Sequence, residues 1–306
     1  MNQKTLLAVV GPTAIGKTRL AIALAKHFNT EIISADSRQF FKEMRIGTAV
    51  PSSKELTEAK HHFIQHKSIH ETYSVGDFEK EVMALLHRLF QEKDTVVLVG
   101  GSGLYVDALV KGLDEFPEVN PKIRKTLNKR LLDEGIESLQ RELKARDPLY
   151  YDQVDLMNPH RVIRALEVSI SSGRPFSSFR RKHKTNRFFQ TVYVGIDADR
   201  AIIYDRINRR VDSMMDEGLL DEARQLHPFK ELNALQTVGY RELFEFFEEK
   251  CTLDFAVEEI KKNTRRFAKR QLTWLRKNEH IIWSNYADPL EKIIQRIKNE
   301  IGASND

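Results

Sequence analysis

The octapeptide Gly11-Pro12-Thr13-Ala14-Ile15-Gly16-Lys17-Thr18 constrains this chain more than any other stretch. Leu6-Leu7-Ala8-Val9-Val10 precedes it as an apolar run of strand character, and Arg19 to Phe28 continues it as an amphipathic helix. Strand, glycine-bearing turn and helix, in that order, are the context in which G-x-x-x-x-G-K-[ST] acts as a phosphate loop. Gly11 and Gly16 let the backbone curl so that several amide hydrogens converge on one anion. The helix N-terminus adds partial positive charge and Lys17 a mobile full charge. Thr18 offers a hydroxyl to a Mg²⁺ that bridges phosphates. A di- or triphosphate is the expected ligand.

Composition narrows the setting. With 41% hydrophobic and 30% charged residues, the 306-residue chain is globular, and it is long enough for two domains. No apolar run approaches the ~20 residues of a bilayer span, so no membrane association is expected. The loop stands too near Met1 for a signal peptide, and Cys251 is the only cysteine, so a reducing, cytoplasmic setting is the expectation. Monomer is the default state. The formal net charge of +5 hides a sharper distribution. Pro121 to Gln190 carries 16 Lys or Arg against 8 Asp or Glu, and Lys261 to Lys277 carries 8 basic residues and no acid. The remainder of the chain stands at −11. A charge run is ordinarily a solvated helix face; two of them beside a phosphate loop point to a polyanionic partner, most simply a nucleic acid.

Strand and helix alternate through the first hundred residues. Glu31 to Ala35 reads as a second strand ending in Asp36-Ser37, Phe78 to Phe90 as a helix, and Thr95 to Val99 as a third strand closed by Gly100-Gly101-Ser102-Gly103. Fully apolar strands alternating with helices indicate an α/β fold, a parallel sheet covered on both faces like that of the P-loop NTPases. Ligands of such sheets bind at the carboxyl ends of the strands, so Asp36, Ser37 and Ser102 belong on the rim that carries the phosphate loop. Residues 1–112 form the first part of this core. From 113 to 188 only helical segments are expected: Pro121 to Glu134, Ser138 to Arg146, and a helix capped by Asn158-Pro159 that ends at Gly173. Residues 189–306 complete the core with a strand, Val192 to Ile196, and then helices alone. One of these is basic, with Ile260, Thr264, Phe267, Trp274 and Leu275 as its packing stripe. His61, His62, His66 and His70 fall at helical spacing; with no supporting acids they read as structural, not as a zinc site.

The third strand ends without an acid, which leaves Asp36 as the candidate carboxylate, either a base toward an incoming nucleophile or a partner of Mg²⁺. On the residues alone, two classes stay open: a small-molecule kinase, or a transferase with diphosphate as leaving group. The long basic insertion weighs against the kinase, and the intact loop weighs against a non-catalytic RNA-binding protein.

Taken together, Gly11 to Thr18, Asp36-Ser37-Arg38-Gln39, Ile46 to Ala49, Tyr73 to Phe78, Gly100 to Tyr105, Asn158 to Glu167, Arg206 to Met214, Gly239 to Glu242 and Thr264 to Trp274 resemble the tRNA dimethylallyltransferases of bacterial type. These are the IPP transferases, prenyltransferases that isopentenylate an adenosine beside the anticodon. The likeness covers nearly the whole chain in order. It implies transfer of a dimethylallyl group from dimethylallyl diphosphate to N6 of the adenosine 3′-adjacent to the anticodon, with Mg²⁺ assisting. Gly11, Pro12, Thr13, Ala14, Ile15, Gly16, Lys17, Thr18 and Arg210 would cradle the diphosphate, and Thr18 would hold the Mg²⁺. Asp36 would take the amine proton, Thr13 would contact the bridging oxygen, and Lys17 and Arg210 would stabilise the leaving group. Asp36, Ser37, Arg38, Gln39 and Ser102 would line the adenosine pocket. Arg124, His160, Arg161, Val162, Ile163 and Arg164 would touch the tRNA anticodon stem-loop. Ser102 stands where many members carry threonine. An isopentenyltransferase acting on free adenine nucleotides would share the donor chemistry without needing the basic insertion.

Overall fold

The computed structural model describes residues 3–180 and 186–303. Arg181, Lys182 and Lys184, counted above in the basic stretch, lie outside the described residues. The chain divides into two compact units, Met1–Lys111 with Arg187–Asp306, and Gly112–Asn186.

The larger unit is built on six strands, β1 (Thr5–Val10), β2 (Ile32–Ser34), β3 (His61–His62), β4 (Thr95–Val99), β5 (Gln190–Asp197) and β6 (Ile281–Asn285). They pair in parallel throughout, in the order β3-β2-β4-β1-β5-β6. Side chains alternate between two cores, as the pleat demands. Leu6, Ala8 and Val10 of β1 join Phe78, Val82 and Leu86 on one face; Leu7 and Val9 join Leu20, Leu24 and Ile207 on the other. Helices α1 (Lys17–His27), α2 (Ser53–Glu58), α3 (Val75–Glu92) and α4 (Gly103–Lys111) belong to this unit. Ser74 starts α3 through a reciprocal capping box with Asp77.

Two strands correct the sequence reading. His61 and His62, where no strand was expected, form the edge strand β3, and Ile281–Asn285, expected to be helical, extends the other edge as β6. Both are short runs whose pairing partners, β2 and β5, are distant in sequence, so local periodicity carries little signal for them. Among the described residues no helix is long and apolar enough to cross a membrane.

The smaller unit contains helices α5 (Pro121–Glu134), α6 (Ile136–Arg146), α7 (Pro148–Tyr151) and α8 (Pro159–Ser172), and no strand among its described residues. Asn158 caps α8 by accepting the Arg161 amide, Pro159 occupies the first turn, and Gly173 ends the helix in left-handed backbone. Leu127, Leu139, Leu143, Val162 and Leu166 close its own core. The larger unit then resumes with α9 (Arg200–Asp216), α10 (Leu219–Leu226), α11 (Tyr240–Phe247), α12 (Leu253–Leu275) and α13 (Leu290–Ala303).

Candidate active site

Three strand ends lie side by side. The Ala35 amide donates to the Val99 carbonyl at 2.7 Å, and the Gly100 amide donates to Val9 at 3.3 Å. The segments that follow β1, β2 and β4 therefore emerge together, as expected for a parallel sheet. The first is the glycine loop. Ala14 and Gly16 both adopt left-handed backbone, with φ of 63° and 106°. Alternation of this kind turns successive amide hydrogens toward one concavity. Lys17 folds back across the loop and donates to the Pro12 carbonyl at 2.7 Å, while Arg206 of α9 donates to the Ala14 carbonyl at 2.8 Å.

The second segment begins at Asp36, whose carboxylate accepts the Arg38 amide at 3.1 Å. Ser37 and Ser102 share a hydrogen bond between their hydroxyls at 3.2 Å, so the turns after β2 and β4 touch. Gln271 of α12 joins the third segment to the first. Its amide oxygen accepts the Thr13 N–H and its nitrogen donates to the Gly101 carbonyl, each at 2.9 Å. The side chain is buried. No role for Gln271 followed from the sequence; a polar residue standing among the apolar positions of the α12 stripe was the available signal.

Two cavities meet here. One, of about 650 Å³, has mainly apolar walls and includes Ser37, Ser102, Ile260, Phe267 and Trp274. The other, of about 760 Å³, is mainly polar and includes Lys17, Thr18, Arg45, Arg206 and Arg209. Thr13, Asp36, Thr48, Arg210 and Met214 border both, and so mark the junction. The α12 stripe is accordingly divided. Leu275 is buried as expected and Ile260 is buried at the edge of the first cavity, while Thr264, Phe267 and Trp274 wall that cavity, and Phe267 remains 40% exposed.

The junction is crowded with cations. Burial lowers the Lys17 ammonium to about 8; Asp36 pulls it back up and Arg210 pushes it further down. Burial also lowers Arg210, against the pull of Asp36. Such a pair of desolvated cations is a destabilising arrangement that a bound polyanion would relieve.

The remaining sequence-derived residues are distributed less uniformly. Arg38 borders the first cavity, yet its guanidinium donates to the Ala234 carbonyl at 3.0 Å. Gln39 borders the second cavity and not the first: its amide donates to the Thr48 and Ala49 carbonyls and accepts from Ser34, which fixes the loop beside it. In the helical unit, Val162 and Ile163 are buried in the apolar core, which corrects their assignment as tRNA contacts: helical periodicity turns them inward while His160 and Arg161 stay exposed. Arg124 and Arg164 both grip buried Glu167, at 2.5 Å each. Burial alone would raise the Glu167 carboxyl, and these hydrogen bonds more than offset it, holding it below the ordinary glutamate value. The histidines form no cluster either. His66 sits edge-on to Phe40, Phe63 and Tyr73, and His70 to Phe229.

Fold and site together define an α/β protein with a composite cleft at the carboxyl ends of a parallel sheet, apolar on one side and cationic on the other. The chain belongs to the IPP transferase family, whose sequence profile matches residues 39–278. It is 58% identical to the tRNA dimethylallyltransferase of Flavobacterium johnsoniae, over 98% of this chain and 99% of that one. It is 57% identical to the enzyme of the same name from Christiangramia forsetii, over 97% and 98%. Its fold is similar to the full-length tRNA isopentenylpyrophosphate transferase of Bacillus halodurans, with a TM-score of 0.71 and 35% identity over 98% and 96% of the two chains. It is also similar to a eukaryotic dimethylallyltransferase acting on tRNA, with a TM-score of 0.81 and 25% identity over 99% of this chain and 79% of that one.

Proposed function

We propose that this chain transfers the dimethylallyl group of dimethylallyl diphosphate to N6 of the adenosine 3′-adjacent to the anticodon of tRNA, releasing diphosphate. The junction of an apolar and a cationic cavity at Thr13, Asp36 and Arg210 is the observation that carries the reading. The diphosphate would lie in the glycine loop, between its amide hydrogens, Lys17 and Arg210. An adenosine drawn out of the anticodon loop would enter from the apolar side, past Ser37 and Ser102.

In the reaction the N6 lone pair forms a bond to the allylic carbon as the bond from that carbon to the bridging oxygen breaks. The electron pair leaves with the diphosphate, and the N6 proton passes to Asp36. Thr13 would donate its hydroxyl to the bridging oxygen. Lys17 and Arg210 meet the negative charge that develops there, in a site where burial strengthens their field.

Mg²⁺ fits as a partner of the diphosphate. Thr18 and Asp36 present hard oxygen donors to the same cavity, and among the described residues no group of three His, Cys, Asp or Glu could hold a metal unaided. A Mg²⁺ held mainly by substrate oxygens suits that set and would neutralise leaving-group charge. On the tRNA side, exposed His160 and Arg161 are the proposed phosphate contacts of the helical unit. The same reading takes the protein as a monomer in the cytoplasm, consistent with its single free thiol, Cys251.

The test is mass spectrometry of unmodified tRNA digested after incubation with the protein, Mg²⁺ and dimethylallyl diphosphate, with ATP as parallel donor. Gain of one dimethylallyl group on the adenosine beside the anticodon, without ATP, is the expected result. Product on free adenine nucleotides alone, or consumption of ATP, would contradict it.

A further inference from the structure

A loop, residues 45–50, borders both cavities, and its geometry depends on a carboxylate outside them. Arg45, Ile46, Ala49 and Val50 face the polar cavity, Gly47 the apolar one, and Thr48 both. The loop has no regular structure of its own. Two side chains hold it, one from the preceding turn and one from a distant helix. On one side the Gln39 amide donates to the Thr48 and Ala49 carbonyls, at 3.2 and 2.9 Å. On the other, Glu222 of α10 accepts the backbone N–H groups of Arg45, Ile46 and Gly47 at 3.0, 2.8 and 3.0 Å. The Tyr240 hydroxyl donates to the same carboxylate at 2.7 Å.

This arrangement leaves the loop little freedom. A run of three amide hydrogens converging on one carboxylate has the geometry of an anion-binding nest, here filled from within the protein. Tyr240 is fully buried, and its ring lies so close to Gly47 that a Cβ there would approach it to 2.7 Å. Ala49 takes left-handed backbone with φ of 49°, a conformation that an unrestrained alanine rarely adopts. Charge-assisted bonds of the kind made by Glu222 are the stronger class of hydrogen bond and suit such a restraint.

We propose that Glu222, supported by Tyr240, is a positioning residue for the transfer reaction: it sets the loop that keeps Thr48 at the junction, and with it the approach of amine to allylic carbon. The inference rests on the function proposed above. Neither residue touches either cavity, so neither acts on a reacting atom directly.

The test compares wild type with Glu222→Gln and Tyr240→Phe. Glu222→Gln keeps the side-chain length but withdraws the charge and one acceptor; Tyr240→Phe keeps the ring and removes only the hydroxyl. Three quantities are read: hydrogen exchange of the 45–47 amides, affinity for inorganic diphosphate, and kcat and KM for prenyl transfer. In Glu222→Gln the three amides should exchange faster and kcat should fall by about ten- to hundredfold, as expected for displaced reacting groups. Tyr240→Phe should show the same pattern at smaller amplitude, and it decides the matter if Glu222→Gln does not fold. Faster exchange with unchanged kcat and KM would overturn the proposal, as would unchanged exchange. If wild type does not prenylate tRNA, the functional reading fails on its own. The exchange and the diphosphate affinity then still judge the loop: a variant with faster exchange and wild-type diphosphate affinity overturns its role in shaping the site.

Discussion

The cations of the two units carry the same charge in opposite settings. In the helical unit, Arg124 and Arg164 converge on buried Glu167, and hydrogen bonding to that carboxylate raises Arg124 above its ordinary value. In the sheet unit, Lys17 and Arg210 are pressed together by the fold, and burial drives both below theirs. The first arrangement satisfies its charge internally and contributes stability. The second leaves charge to be satisfied by something from outside. A count of basic residues treats these regions alike; what distinguishes them is that Glu167 hydrogen-bonds its arginines directly, whereas Asp36 acts on Lys17 and Arg210 through space.

Substitutions should separate the two regions. The largest effect is expected at the junction, where Asp36→Asn removes the proposed proton acceptor without changing shape. Its kcat should drop by roughly 10²–10⁴-fold with tRNA affinity retained, measured by single-turnover prenyl transfer and filter binding. Lys17→Met should follow, with a loss of about 10²–10³-fold in kcat/KM for the donor. Folding should be undisturbed, since the substitution removes a desolvated cation. In the helical unit the order reverses. Arg124→Ala should leave donor kinetics intact but lower stability by about 1–2 kcal/mol in denaturant unfolding, a modest figure because this arginine is 54% exposed. The smallest effect belongs to His160→Ala with Arg161→Ala, which should raise KM for tRNA and flatten its salt dependence while sparing donor KM.

The pH dependence sharpens the same contrast. Lys17 sits at about 8 where an unfolded lysine sits at 10.5. Below about pH 8 the ammonium is charged in both states, and its desolvation cost is fully present. Between the two values the unfolded chain binds more protons than the folded one, so this group makes stability rise with pH. Donor binding runs the other way. As pH rises through about 8 the empty site loses the charge that meets the diphosphate, so donor KM should climb in wild type and stay level in Lys17→Met. For stability, Glu167 has the same sign as Lys17 in an acidic window: its lowered value contributes stability above the ordinary glutamate range, and that stability is lost as pH falls through the folded value.

Legibility in the sequence followed the range over which each feature is determined. The glycine loop, the cap at Asn158 and the stop at Gly173 are local devices, and the structure carries each of them. The placement of Ser37 beside Ser102 was also readable, because a parallel sheet aligns the ends of its strands. What could not be read depends on contacts between distant segments. β6 exists because β5 accepts it, and Gln271 matters because α12 passes between two loops more than 160 residues away along the chain. Glu222 has the same character: nothing in its neighbourhood distinguishes it from the other acids of α10 until the loop at 45–47 closes on it. The inward turn of Val162 and Ile163 was within reach, since both are apolar residues on an amphipathic helix, but motif resemblance outweighed periodicity there.

The fold lowers the Lys17 ammonium to about 8, and a bound diphosphate should raise it again. NMR titration of the Lys17 side chain, with and without inorganic diphosphate, tests it directly. The midpoint should lie near 8 in the free protein and move clearly upward when diphosphate is bound. A midpoint at the ordinary lysine value in the free protein, unmoved by diphosphate, would contradict it.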